Sequence, residues 1–158
     1  MNKILVLTTG GIIDKVYFDA KSHYQVSDSV GSAVFQSMNV AFEFSVEEIC
    51  KKDGLEITDD DRALLLERIS ASNFRHILIT HGTDTMVDTA NCLDDQQERV
   101  IVFTGAMQPA VFRETDGAFN LGTALGVLGS AKPGVYIAMN GCAYTPQSVL
   151  KNYQTHRF

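Results

Sequence analysis

Two short runs hold the side chains with chemical reach: Thr8-Thr9-Gly10-Gly11-Ile12-Ile13-Asp14 near the start, and Ile79-Thr80-His81-Gly82-Thr83-Asp84-Thr85-Met86 in the middle. In the second, Thr83 and Asp84 set a hydroxyl beside a carboxylate where an aliphatic run gives way to a polar one, the pattern of a strand-to-helix turn. Side chains and free N–H groups at such a turn face one crevice. A ligand carboxylate fits the N–H groups and a ligand ammonium fits Asp84, which describes a pocket for an α-amino acid. Thr and Asp are also favoured helix caps, so spacing alone leaves Thr83 open between a cap and a site hydroxyl.

A threonine hydroxyl is a weak nucleophile and needs a neighbouring base, such as a lysine whose pKa is lowered by burial or by another cation. Spacing does not name that lysine. The oxyanion of an attacked amide would need backbone N–H donors, which the glycine turns at Gly10-Gly11 and Gly82 could present. Neither the phosphate-loop spacing nor GxGxxG occurs, which argues against a nucleotide. His81 has no second ligand at metal-binding spacing and reads as a hydrogen-bonded structural histidine, so neither a metal nor a cofactor is expected. Cys50, Cys92 and Cys142 form no CxxC pair and read as small buried side chains, with Cys142 near the proposed site and open to reaction.

These residues need a frame that brings distant turns together. Residues 3–8 read as a buried strand leaving the sheet through the Gly10-Gly11 turn. Residues 14–31 are polar and aromatic without helical period and read as a long loop or irregular hairpin, the kind of segment that serves as a lid. A strand follows at 40–46; then Thr58-Asp59-Asp60-Asp61 caps a helix running through Ser70 with Leu64, Leu65 and Ile69. Strands at 76–80, 100–104 and 134–139 alternate with helices at 84–94 and 116–130. This order predicts a three-layer α/β fold with a mostly parallel, doubly wound sheet of Rossmann-like or flavodoxin-like type. Such sheets bind ligands at the carboxyl ends of their strands, where both turns fall. Residues 140–158 lack periodicity and read as a loop with a mobile tail.

A length of 158 residues with 45% hydrophobic content suits one compact domain. The net charge of -6, with 13 scattered Lys and Arg, argues against nucleic acid and for a small polar ligand. Ile4-Leu5-Val6-Leu7 is too brief an apolar run for a signal-peptide core or a membrane span, so the expected location is cytoplasmic, with no membrane partner.

Thr9-Gly10-Gly11, His81-Gly82-Thr83-Asp84-Thr85-Met86, Gly105-Ala106-Met107-Gln108-Pro109 and Asp116-Gly117-Ala118-Phe119-Asn120-Leu121, in that order, resemble the N-terminal domain of bacterial-type L-asparaginases. The resemblance implies that fold across residues 1–158, expected as a single domain without the second, C-terminal domain of full-length members. It implies an amidohydrolase that converts L-asparagine or a related small amide to the acid and ammonia. Thr83 and Asp84 match the family's second catalytic threonine and its aspartate. Lys151 matches the lysine paired with that threonine when the segment after Asn140 is laid against the family without gaps.

Tyr24 falls where the family's loop tyrosine closes over the substrate. The first nucleophile position, however, is Ile12, which has no hydroxyl. Counting back from Thr58, the serine that helps hold the substrate's α-carboxylate is Gly54, and Glu56 matches an acidic position that is structural or substrate-proximal. Substrate contacts are therefore implied at Gly11, Ile12, Gly54, Glu56, Gly82, Thr83 and Asp84. In two-domain members a neighbouring subunit's C-terminal domain adds a carboxylate, so the expected partners are a small amino-acid or amide ligand and further copies in a homodimer or higher homo-oligomer. The alternative set by Ile12 and Gly54 is a non-catalytic amino-acid-binding or regulatory protein on the same scaffold; the third is a structural subunit.

Overall fold

Ile4, Leu5, Val6 and Leu7 are each at most 1% exposed, as a strand with neighbours on both sides and layers on both faces must be. The computed structural model describes residues 1–18, 23–26, 35–37, 39–93 and 98–158. Strands β1 (Lys3–Gly10), β4 (Glu43–Lys52), β5 (His76–Thr80), β6 (Val100–Thr104), β7 (Gly134–Met139) and β8 (Cys142–Tyr144) form one sheet in the order β4-β1-β5-β6-β7-β8. The first five pair in parallel and β8 closes the edge antiparallel to β7.

Alternate residues of each strand face opposite layers, and two cores result. On one face Leu5, Leu7, Ile77, Ile79 and Phe103 pack with Leu65 and Ile69 of α1 (Asp59–Ala71) and Met86 and Ala90 of α2 (Met86–Asn91). On the other, Val6, Leu78, Val102 and Ala138 meet Leu121, Ala124 and Leu128 of α3 (Gly117–Ser130). The three-layer α/β fold expected from the alternation of elements is the fold observed.

Several boundaries differ from expectation. The strand expected at 40–46 is β4, which runs on to Lys52 because backbone pairing with β1, from Lys3↔Glu43 to Gly10↔Lys52, sustains it beyond its apolar residues. It is an edge strand whose Glu43, Glu47, Glu48 and Lys51 dilute the apolar signal. The loop or hairpin expected at 14–31 contains a two-stranded antiparallel hairpin, β2 (Lys15–Phe18) with β3 (His23–Val26).

The helix expected at 84–94 is shortened to Met86–Asn91, since Thr83 and Asp84 turn into the site instead of the helix. The tail, expected to be mobile, is tied down. The Asn152 and Arg157 backbones bridge at 2.7 and 3.3 Å, the Phe158 N–H donates to Asn140 Oδ1 at 3.0 Å, and Phe158 packs against the first core. Isolated hydrogen bonds of this kind leave no periodic trace in a sequence. Cys92 and Cys142, expected to be buried, are exposed, the first at the end of α2 and the second on the edge strand β8, while Cys50 is half-buried.

Candidate active site

β1 and β5 lie side by side and end together, and the Thr9 hydroxyl donates to the Thr80 carbonyl at 3.1 Å to fasten their ends. Beyond them the chain passes through Gly10 and Gly11 at φ of 90° and 87°, a conformation that a Cβ disfavours. A Cβ on Gly11 would stand 2.6 Å from the Gly82 nitrogen, and one on Gly82 would stand 2.4 Å from the Gly54 Cα. Three turns thus meet backbone against backbone at Gly11, Gly82 and Gly54. The Gly11 N–H donates to the Lys52 carbonyl at 2.8 Å, so it does not serve as the oxyanion donor expected of that turn.

Thr83, only 1% exposed, makes no cap hydrogen bond: the N-cap of α2 is Thr85, whose hydroxyl instead donates to the Gly54 carbonyl at 2.6 Å. The Lys151 ammonium donates to Thr83 Oγ1 at 2.8 Å and to Asp84 Oδ1 at 2.6 Å. Its side chain is 9% exposed and that of Asp84 21%. The Thr83 hydroxyl is directed toward Met107 Sδ at 3.8 Å, and a Cβ added at Gly105 would stand 3.5 Å from the Thr83 methyl. Hydroxyl, cation and carboxylate of the expected set therefore meet at Lys151, joined across 68 residues of sequence.

The other expected residues fall around this group. Ile12 starts a 3-10 turn (Ile12–Asp14) directly after Gly11 and is partly exposed. Glu56 closes a capping box by accepting the Asp53 N–H at 3.0 Å, while Asp53 accepts the Gly54 N–H at 2.8 Å. The Tyr24 backbone pairs with Tyr17 in the hairpin; its side chain lies outside the described residues. His81 Nδ1–H donates to the Gly82 carbonyl at 2.8 Å, the ring lies edge-on to Phe103, and Nε2 is buried with no partner. Burial pushes its pKa down to about 4, with the Arg62 charge adding to that and the Gly82 hydrogen bond opposing it. Among the described residues no group of three or more His, Cys, Asp or Glu could hold a metal ion.

Sequence reasoning passed over three neighbours. Tyr153 places its ring 5.0 Å from the Lys151 ammonium, and its hydroxyl lies 3.5 Å from the Asp84 carbonyl. Asp53 is ion-paired with Lys15 at 2.5 Å. The D-G-x-E spacing of residues 53–56 was a readable capping signal for Asp53; nothing in the sequence pairs it with Lys15. Asp116 accepts the backbone N–H groups of Met107 and Gln108 at 2.9 to 3.0 Å, holding the loop behind Thr83. Cys142, expected near the site, lines a cavity of about 580 Å³ with Asp116, Phe119, Asn120, Tyr144 and Arg157, and Thr83, Asp84 and Lys151 are not part of that lining.

A family model described as Asparaginase, N-terminal, matches residues 3–157. The chain is 33% identical over 164 residues to the probable periplasmic L-asparaginase of Haemophilus influenzae, covering 96% of this chain and 47% of that protein. It is 31% identical over 164 residues to L-asparaginase 2 of Escherichia coli, with the same 96% and 47% coverage. Among solved structures, the probable cytoplasmic L-asparaginase of Campylobacter jejuni superposes with a TM-score of 0.79 at 29% identity, over 96% of this chain and 48% of that one. The thermostable L-asparaginase of Thermococcus kodakarensis gives 0.74 at 26% identity, over 86% and 43%. The chain spans about half the length of these relatives.

Proposed function

The chain belongs to the asparaginase family, matching its N-terminal domain, and from that premise we propose that it is an amidohydrolase that takes L-asparagine or a related small amide to the acid and ammonia at Thr83, Lys151 and Asp84. The observation that carries this is the Lys151 ammonium, within 2.8 Å of Thr83 Oγ1 and 2.6 Å of Asp84 Oδ1. In its neutral form Lys151 accepts the Thr83 proton as Oγ1 attacks the amide carbon. It then returns a proton to the leaving nitrogen, ammonia departs, and water releases the acid from the Thr83 ester. Asp84 orients Lys151 and offers a carboxylate to a substrate ammonium. A homo-oligomer and a cytoplasmic location are parts of the same proposal; no helix among the described residues is long and apolar enough to cross a membrane.

A second reading, a binding protein without hydrolysis, is favoured by Ile12, which puts an aliphatic side chain in the first nucleophile position, and by Gly54, which lacks a hydroxyl. Ammonia release from L-asparagine and L-glutamine separates the two. The expected result is turnover that Thr83→Ala and Lys151→Met each lower by at least about a hundredfold, and that Ile12→Thr raises. No turnover in the parent, together with thermal stabilisation by an amino acid and activity gained by Ile12→Thr, establishes the binding protein instead.

A further inference from the structure

Asp53 joins a lysine of one segment to the backbone of another. Its Oδ2 receives the Lys15 ammonium at 2.5 Å, and its Oδ1 receives the Gly54 N–H at 2.8 Å. Lys15 is the first residue of β2, the root of the hairpin whose other strand carries Tyr24. Gly54 is held from further sides, its carbonyl by the Thr85 hydroxyl and its Cα against Gly82, and those two residues flank Thr83 and Asp84. Partial burial pushes the Asp53 carboxyl up. The Lys15 hydrogen bond, the Gly54 N–H and the charges of Lys15 and Lys151 more than offset this, leaving it below its ordinary value.

We propose that Asp53 is a positioning residue of the Thr83–Lys151 site: its two oxygens join the root of the β2–β3 hairpin to the turn at Gly54. The hairpin is thereby latched to the same backbone contact, Gly54 on Gly82, that sets Thr83. Loosening that contact misplaces Thr83 against Lys151, so loss of the latch weakens the transition state more than the bound substrate.

This inference rests on the amidohydrolase reading, and two measurements keep the two separable. Asp53→Asn keeps an oxygen for the Gly54 N–H and is an equally good cap, so it breaks the ion pair with Lys15 and spares the turn; Lys15→Met keeps the stem and breaks the same pair from the other side. The expected result in both is a fall of about tenfold in kcat for L-asparagine with KM moving far less, and recovery of kcat in Lys15→Arg. Amide hydrogen exchange should quicken in residues 15–18 and 23–26 of both variants and stay unchanged in β5.

Unchanged kcat in an active parent overturns the positioning role, whatever the exchange shows. A parent that releases no ammonia sinks the amidase reading alone. In that case the latch stands if hairpin exchange quickens in both variants, and it is overturned if exchange does not change.

Discussion

At the scale of single residues, the site is built as much by what is missing as by what is present. Gly11, Gly54 and Gly82 allow three turns to touch, and a methyl group at Gly82 would stand 2.4 Å from the Gly54 Cα, a distance that requires the backbone to move. His81 shows the opposite economy, a polar ring filling a buried slot. Its folded pKa near 4 lies below the ordinary 6.5 because burial disfavours the charged ring, so the unfolded chain binds the proton first. Its contribution to stability is therefore complete above about pH 6.5 and is lost as the pH falls toward 4, amounting to roughly 3 kcal/mol across that window. Denaturant unfolding of the parent and His81→Asn between pH 7 and pH 4 checks this. The parent should lose stability faster, and parallel curves would remove His81 as the cause.

At the scale of elements, what was legible in the sequence was whatever repeats or caps. The β5, β6 and β7 bounds match their aliphatic runs, and α1 begins where Thr58 and Asp61 exchange cap hydrogen bonds, at 3.3 Å to Thr58 Oγ1 and 2.8 Å from the Thr58 N–H. Thr58→Ala should cost about 1 kcal/mol in urea unfolding through loss of that cap, with no change in the carboxyl-edge geometry. No loss would mean that Asp61, also paired with Lys52 at 2.7 Å, holds the helix start without Thr58. β4 was only half visible because an edge strand shows charges to water, and β8 was invisible because it is three residues held by pairing alone. Thr83 looked equally suited to cap or site; the structure leaves the cap position to Thr85 and gives Thr83 to Lys151.

At the scale of the whole molecule, the site exists only because the chain returns to its own middle. After β7 the backbone turns at Asn140, with φ of 55°, forms β8, and brings the tail back so that Lys151 reaches Thr83. Asn140 serves this twice, as a residue tolerant of the left-handed turn and as the acceptor of the Phe158 N–H. Asn140→Ala should cost about 2 kcal/mol through the lost hydrogen bond and the strained turn. It should also lower turnover more than a surface substitution of equal stability cost, as comparison of melting temperature and ammonia release would show. Turnover that simply tracks stability would mean that the tail does not set Lys151. The sequence by itself determined the three-layer alternation of strands and helices and the two glycine turns, because periodicity and turn chemistry are local. Only the tertiary structure decided which carbonyl takes the Gly11 N–H, that Asp53 pairs with Lys15, that the tail is fastened, and that Lys151 lies on Thr83. Those contacts are single hydrogen bonds and ion pairs between segments far apart in the chain, and they repeat nowhere along it.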